Sequence, residues 1–251
     1  MSLLGHHVIL CEGFDDRSFW SGWLQHLECV DPTDGGKNKK ARDANGDKVV
    51  GKGRFLFYAP GNHSIVLQPY GGKDNLSRFV DDELVEHIQK PRTRVILNLD
   101  SDAKADDLKD KSAEDSVVGI LRNHGVTVTD LCSGFVNVKG IEVAAVIWQC
   151  DDPSGSPGVP RKQTLERLVC ASIQAAYPER GRNVMGWLSS EPKPESLSHK
   201  NYSLSYLAKW YASFGADDFF RAIWRDEEIA QELEKRLRAT GAWGLVETLA
   251  R

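Results

Sequence analysis

The 251-residue sequence lacks paired cysteines and long apolar runs. Its five cysteines are odd in number, widely spaced and form no Cys-x-x-Cys pair, which argues against a disulfide framework and a structural zinc site. We therefore expect reduced, mostly buried thiols and a cytoplasmic location. No apolar run approaches the roughly 20 residues that a membrane helix needs, and no signal peptide is visible before Val8. The sequence thus predicts a protein without a membrane partner.

The sequence also has no strong excess of either charge. Its formal net charge of -4 is incompatible with a uniformly basic nucleic-acid-binding protein, although a local basic patch is compatible with it. Residues 31–54 contain such a patch, because seven Lys and Arg stand there against four Asp. We expect a polar basic insertion loop or hairpin that turns at Asn45-Gly46. It is either a phosphate-binding arm or a solvated surface, and the sequence leaves both open.

A buried strand is predicted over residues 93–102, where an apolar run ends in two acidic residues. Branched residues follow Pro91 and give way to Asp100 and Asp102, two carboxylates one residue apart. Open α/β sheets bind ligands at the carboxyl ends of their strands. Because residues i and i+2 of a strand point to the same side, both carboxylates are expected to face one hard cation.

A second acidic turn follows a strand predicted over residues 5–11. Glu12 and a glycine come directly after this strand, and Asp15 and Asp16 precede apolar residues at helical spacing. These acids therefore lie at a strand-to-helix turn, the same kind of position as the Asp-x-Asp pair. Either Asp could cap the helix, but capping does not account for Glu12.

A third turn contains Gly71, Gly72 and Lys73, between a strand predicted at 64–69 and a helix. A glycine pair before a helix lets backbone N–H groups approach an anion, so these three residues are the predicted substrate-binding group. Further strands are predicted at 55–59, 126–131 and 135–149, and a helix is predicted at 117–125. The stretch 135–149 is expected to include an antiparallel edge strand.

Alternating strands and helices predict an α/β domain over residues 1–150. A loop rich in Pro and Gly follows, and residues 151–251 are expected to form a helical C-terminal region packed on that domain. Its aromatic residues are expected to pack in the core rather than to stack on bases. The helices are predicted at 163–177, 202–214, 217–224, 226–239 and 242–250. The aromatic residues are Trp210, Phe214, Phe219, Phe220, Trp224 and Trp243.

Together, the three turns resemble the Toprim domain. That domain is shared by topoisomerases, primases, the overcoming-lysogenization-defect (OLD) nucleases and the small ribonucleases that mature 5S ribosomal RNA. The resemblance covers roughly residues 6–135 and implies a Toprim-like, mostly parallel sheet flanked by helices, here with an α-helical C-terminal extension. Over the whole chain, the sequence resembles uncharacterised bacterial Toprim proteins related to the OLD nucleases. The motifs that carry the resemblance are Glu12-Gly13-x-Asp15-Asp16, Gly71-Gly72 and Asp100-x-Asp102.

The resemblance implies a role for each acid. Glu12 would serve as general acid or base and is also a candidate metal ligand, while Asp100 and Asp102 would hold Mg²⁺ or Mn²⁺ and complete the catalytic group. Asp16, or alternatively Asp15, matches a further acid that joins the metal ligands in the nuclease branches. Glu166 is an auxiliary candidate, since related proteins carry a similar Thr-Leu-Glu helix. The sequence departs from the pattern after Asp102, where Ala103-Lys104-Ala105 follows, so no third ligand is implied from this loop.

The resemblance implies a magnesium-dependent nuclease that cleaves phosphodiester bonds in DNA or RNA. The chemistry is sensible on its own, because a held Mg²⁺ stabilises charge on phosphorus and a positioned Glu moves a proton. A homodimer is left open.

Three alternatives come from other classes of protein. A Toprim fold could bind nucleic acid or a partner without cutting it. An Asp-based phosphatase also has Asp-x-Asp after a strand, but near the chain start and with Thr or Val where Ala103 stands. A receiver domain would use a distant Lys such as Lys139, yet it lacks the Glu12-Gly13 arrangement.

Overall fold

The computed structural model describes most of the sheet and the C-terminal helices. The described residues are 4–33, 38, 40–49, 53–72, 75–76, 78, 94–103, 119, 131–138, 140–150, 159–179, 182–183 and 216–251. Some predictions therefore lie outside them. These are Lys73, Lys139, Trp210, Phe214, the helix at 202–214, the helix at 117–125 apart from Gly119, and the strand at 126–131 apart from Leu131.

Six strands form one twisted layer in the described part of the chain, in the order β2-β3-β1-β4-β6-β5. The four central strands run parallel, and the edge strands β2 and β5 are antiparallel to their neighbours. This confirms the prediction of an α/β protein with a mostly parallel sheet and an antiparallel edge. The strands are β1 Gly5–Cys11, β2 Phe55–Tyr58, β3 His63–Pro69, β4 Arg94–Asp100, β5 Val136–Val138 and β6 Ile141–Trp148.

The described helices pack on one face of this sheet, in a single apolar core with the inward side chains of the strands. Successive strand residues alternate between faces: Ile9 and Cys11 join this core, whereas Val8 and Leu10 join a second cluster on the other face. The helices are α1 Phe14–His26, α2 Leu165–Ala176, α3 Ala216–Ala222, α4 Glu227–Ala239 and α5 Ala242–Ala250. A 3₁₀ turn, Ile223–Arg225, joins α3 to α4.

Aromatic packing ties the C-terminal helices to α1. The Trp23 ring stacks on Trp20, with centroids 4.9 Å apart, and on Trp224, with centroids 5.7 Å apart. Gly22 makes the close approach of α1 and α3 possible, since an added Cβ would lie 2.6 Å from the backbone oxygen of Arg221 and 2.4 Å from a side-chain carbon of Trp224. Phe219, Phe220, Trp224 and Trp243 are all buried, which confirms their predicted place in the core.

One polar residue, Asn98, is fully buried inside β4. It accepts a hydrogen bond from Trp20 Nε1 at 2.8 Å and donates one to the carbonyl of Val146 at 3.0 Å. The hydroxyl of Tyr70 donates to the Asn98 carbonyl at 2.8 Å. Because a buried amide is costly unless it is satisfied, these bonds specify how α1, β4 and β6 meet just before Asp100.

The basic segment 31–54 turns at the predicted place. Arg42 and Lys48 form an antiparallel bridge, and Gly46 between them has a φ of 79°, which suits glycine. The Asp43 carboxylate accepts the N–H of Asp47 at 3.0 Å and so closes the turn. The predicted turn at Asn45-Gly46 is therefore confirmed.

Two further observations concern membrane-spanning helices and cysteines. Among the described residues no helix has the length and apolarity that crossing a membrane requires. All five cysteines are thiols, and four of them are buried.

Candidate functional site

A cleft of about 580 Å³ lies at the carboxyl ends of the adjacent parallel strands β1 and β4. Since parallel strands end at the same edge of a sheet, the residues that follow them are brought together. The structure gathers there five of the predicted acids and both predicted glycines. The cleft is lined by Glu12, Gly13, Phe14, Asp15, Asp16, Gly71, Gly72, Asp100, Leu165 and Glu166.

Glu12 is the residue that links the first motif to the third. Its Oε2 accepts a hydrogen bond from the backbone N–H of Asp100 at 2.9 Å. The carboxylate is thereby held against the end of β4, on the same sheet edge as the predicted Asp-x-Asp pair. The sequence predicted this convergence from the strand ends, although not the bond itself.

Gly71 and Gly72 hold the turn that carries Glu12. Their N–H groups donate to the backbone carbonyl of Glu12 at 3.1 and 3.0 Å. Their φ angles of 75° and 102° explain why glycine occupies both positions. These N–H groups were predicted to bind a substrate anion, but in the structure they bind the chain itself. The glycines therefore line the cleft and position Glu12.

Asp16 is buried at the bottom of the first turn, with 8% of its surface exposed. It accepts the N–H of Gly13 at 2.9 Å, which is one half of a capping box, so the capping interpretation holds for this residue. It also accepts the indole N–H of Trp148 at 2.6 Å. The pKa of Asp16 is raised to about 7, chiefly by burial and also by the charges of Glu12 and Glu166, against the lowering effect of the two hydrogen bonds.

Asp100 ends β4 and meets the N-terminus of α2. Its Oδ1 accepts the backbone N–H of Leu165 at 2.9 Å. Thr164 caps the same helix end by accepting the N–H of Arg167. A negative charge at a helix N-terminus is favourable, so the Asp100 carboxylate is well placed at the start of α2.

Glu166, in the first turn of α2, is the auxiliary acid that the sequence nominated. Only 7% of its surface is exposed, and it lines the cleft together with the residues of the first motif. Asp15 lines the cleft as well but is exposed to solvent. The C-terminal region therefore contributes directly to the site.

Asp102 is placed differently from its neighbour. The strand ends at Asp100, and Asp102 has left-handed backbone with a φ of 57°, so the alternation of an extended strand does not put the two carboxylates side by side. It is not among the lining residues of the cleft. Its side chain is 44% exposed and lies 3.8 Å from the ammonium of Lys162.

The loop after β4 is fixed by the segment that leads into α2. Asp102 donates its N–H to the carbonyl of Gln163 at 2.9 Å, and Gln163 donates its own to the carbonyl of Ala103 at 2.8 Å. The side-chain amide of Gln163 also pairs with the backbone of Cys150, just beyond β6. These bonds determine the approach of α2 to the carboxylates.

The chemistry of these donors fits a hard divalent cation, because oxygen-only ligands suit Mg²⁺ and Mn²⁺. Burial is the main cause of the raised pKa of Asp16, and the neighbouring charges of Glu12 and Glu166 add to it. In the part of the chain that the structure describes, however, no group of three or more Asp, Glu, His or Cys is arranged to hold a metal ion. Glu12, Asp16 and Asp100 each accept an N–H group of the protein.

Sequence reasoning missed three residues of the site. Leu165 contributes a backbone N–H, and Trp148 contributes an indole N–H from the end of β6. Phe14 lines the cleft although its ring is apolar. Of these, Phe14 could have been predicted from the sequence, because it stands inside the Glu-Gly-Phe-Asp-Asp motif itself.

Comparison with protein-family models finds no match for this sequence, and comparison with curated proteins finds none either. Among solved structures, the chain is similar to a hypothetical protein from Pyrococcus horikoshii OT3, with a TM-score of 0.67 and 16% sequence identity. The similarity covers 99% of this chain and 100% of that protein. At this level of identity the two chains share a mixed α/β fold, and the likeness extends to no function.

Proposed function

We propose that this protein is a Toprim-like, metal-dependent nuclease that cleaves phosphodiester bonds in nucleic acid. The observation that supports this function best is the meeting of Glu12 with the end of β4, where the Asp100 N–H binds its carboxylate at 2.9 Å. A proton-transfer group and a cation-binding carboxylate thus lie at one sheet edge, in one cleft. Phosphodiester hydrolysis needs both in contact with one phosphate.

Glu12, Asp16 and Asp100 are the residues that would hold Mg²⁺ or Mn²⁺, while Asp102 remains a predicted ligand outside the cleft lining. When bound, the cation would supply charge stabilisation for the phosphoryl oxygens. Glu12 is the general acid or base, because the Asp100 N–H fixes its carboxylate in place. Asp100 is in turn held by the N–H of Leu165, so the end of β4 is kept in position by α2.

A non-cutting Toprim-like module is the second candidate function. One observation favours it: the carboxylates of Glu12, Asp16 and Asp100 all accept hydrogen bonds from N–H groups, and within the described ranges no set of three is arranged for a metal. A protein of this kind would bind nucleic acid or a partner through the same edge. Both candidates bind their ligand at this sheet edge, but only the nuclease cleaves it.

The deciding experiment incubates the full-length protein with single-stranded, duplex and structured DNA and RNA, in Mg²⁺, in Mn²⁺ or in chelator. We expect chelator and Asp100→Asn to abolish cleavage, because the amide removes a charged ligand from a hard cation. Glu12→Gln should spare binding and lower the cleavage rate by about 10²-fold or more, the scale of a lost acid or base. Glu228→Gln, an exposed carboxylate on α4, is the matched control and should cleave normally.

Each other outcome has a clear meaning. Binding without cleavage on every substrate would establish the non-cutting module. Hydrolysis of phosphomonoesters alone, with a covalent adduct on Asp100, would establish the phosphatase alternative. Absence of both binding and hydrolysis would reject the proposal.

A further inference from the structure

Phe14 is an exposed aromatic ring at the mouth of the acidic cleft. It is the first residue of α1, and 63% of its surface is exposed. Leu4 and Val30 are exposed to a similar degree in the described part of the chain, but Phe14 differs from them because it lines the cleft. A phenyl ring offers no oxygen ligand to a divalent metal ion, so its position beside the carboxylates suits a different part of the substrate.

The ring is held in place by its surroundings. The guanidinium of Arg17 lies over the Phe14 ring, 4.9 Å from its centroid, and over the Phe55 ring at 4.1 Å. Arg17 also donates to the carbonyl of Gly53 at 2.7 Å. An added Cβ on Gly53 would lie 2.8 Å from the Phe14 ring, so the backbone at the end of the basic segment packs against it. A ring ordered in advance loses little entropy when it binds.

An exposed aromatic ring at the mouth of the proposed cleavage cleft matches the chemistry of a nucleobase. Every base has a face that can stack on an aromatic ring, and this contact is tolerant of sequence. A base inside an intact duplex is already stacked and paired, so it is unavailable to a ring at a cleft mouth. Stacking on Phe14 therefore selects unpaired bases over paired ones.

We infer that Phe14 is a stacking platform for an unpaired nucleobase next to the bond that the cleft cleaves. This inference rests on the proposed function and adds the substrate class: single-stranded nucleic acid or an unpaired overhang. Arg17 acts as a positioning residue, because it supports the ring from the side of Phe55. The stacking chemistry is shared by DNA and RNA, so both enter the test.

The test measures the affinity for labelled oligonucleotides in Mg²⁺, in a Glu12→Gln background that suppresses cleavage. The ligands are single strands, overhangs and blunt duplexes of DNA and of RNA. Phe14→Ala should weaken binding of single strands and overhangs about ten-fold or more, the size expected for one lost stack, and leave blunt duplexes unchanged. Phe14→Tyr should retain affinity. Val30→Ala, an exposed apolar residue outside the cleft, is the matched control and should change nothing.

The inference is overturned if Phe14→Ala leaves all affinities unchanged, or if it weakens blunt duplexes as much as single strands. In either case, loss of cleavage in Asp100→Asn would still uphold the proposed nuclease. If the parent protein binds no nucleic acid at all, the proposed function and the inference fail together.

Discussion

Replacing Asp16 by Asn should change how the free energy of unfolding depends on pH. The pKa of Asp16 is raised from 3.8 to about 7 in the folded protein, chiefly by burial. The folded state thus keeps a proton that the unfolded chain has lost, so this group's stabilising contribution is present below pH 4 and is lost as the pH rises through 7. Between pH 5 and pH 8 the loss is about 3 kcal/mol, since each pKa unit corresponds to about 1.4 kcal/mol.

Asn cannot ionise, so Asp16→Asn should lack this loss. Its amide has one acceptor oxygen, whereas Asp16 accepts N–H groups from both Gly13 and Trp148, so the variant leaves one donor poorly satisfied. That defect costs roughly 1–3 kcal/mol at every pH. We therefore expect the variant to be less stable than the parent at pH 5 and equal to it or more stable at pH 8.

The assay is urea unfolding of both proteins in chelator from pH 5 to pH 8, followed by tryptophan fluorescence. The informative quantity is the difference in unfolding free energy between the two proteins, because the stability contribution of His7 changes with pH in the opposite direction to that of Asp16. Burial lowers the pKa of His7 from 6.5 to about 3, so its contribution is lost as the pH falls. Asp15→Asn changes an exposed neighbour, so the pH dependence of its unfolding free energy should be parallel to that of the parent. Parallel curves for Asp16→Asn as well would refute the reasoning.

The remaining predictions concern the same core and cleft. His7→Leu should abolish the part of the stability loss between pH 6.5 and pH 4 that is due to His7, because leucine cannot be protonated in the unfolded chain. Acid unfolding followed by circular dichroism checks this. Trp148→Phe removes the N–H that favours ionised Asp16, so the pH midpoint of the stability difference should rise above about 7. Gly22→Ala should lower the free energy of unfolding by about 1–3 kcal/mol or more, since its Cβ would overlap Trp224; thermal unfolding measures this. Under the proposed function, Mg²⁺ affinity by calorimetry should rise with pH through about 7, because the cation binds the ionised carboxylate.

The local sequence determined the strands and the acidic turns that end them. Apolar runs followed by acid or glycine located β1, β3 and β4, because buried strands need branched apolar residues and their ends need polar or flexible ones. The order of these strands in an α/β fold was sufficient to place Glu12 and Asp100 at one sheet edge. The C-terminal helices at 226–239 and 242–250 were also predicted within a residue or two, since their apolar spacing is regular.

Only the tertiary structure decided how the acids are held. Nothing in the neighbourhood of Gly71 and Gly72 indicates that their N–H groups bind the Glu12 carbonyl, because that contact joins segments about sixty residues apart. Asp16 accepts an N–H from Trp148 and Asp100 accepts one from Leu165, both from distant parts of the chain. Hydrogen-bond partners across such distances depend on how β6 and α2 pack, which no local pattern encodes.

Asp102 shows most clearly the difference between what the local sequence determines and what tertiary packing decides. The alternation of a strand predicted that it would face the cation together with Asp100, and this would hold if the strand continued. The strand ends at Asp100 because the next residues pair with Gln163 before α2, and that pairing turns the backbone of Asp102 to a φ of 57°. The sequence by itself determined which acids stand at the sheet edge. Packing of the C-terminal region determined which of them line the cleft, because the last residues of β4 are held by contacts from a segment some sixty residues later.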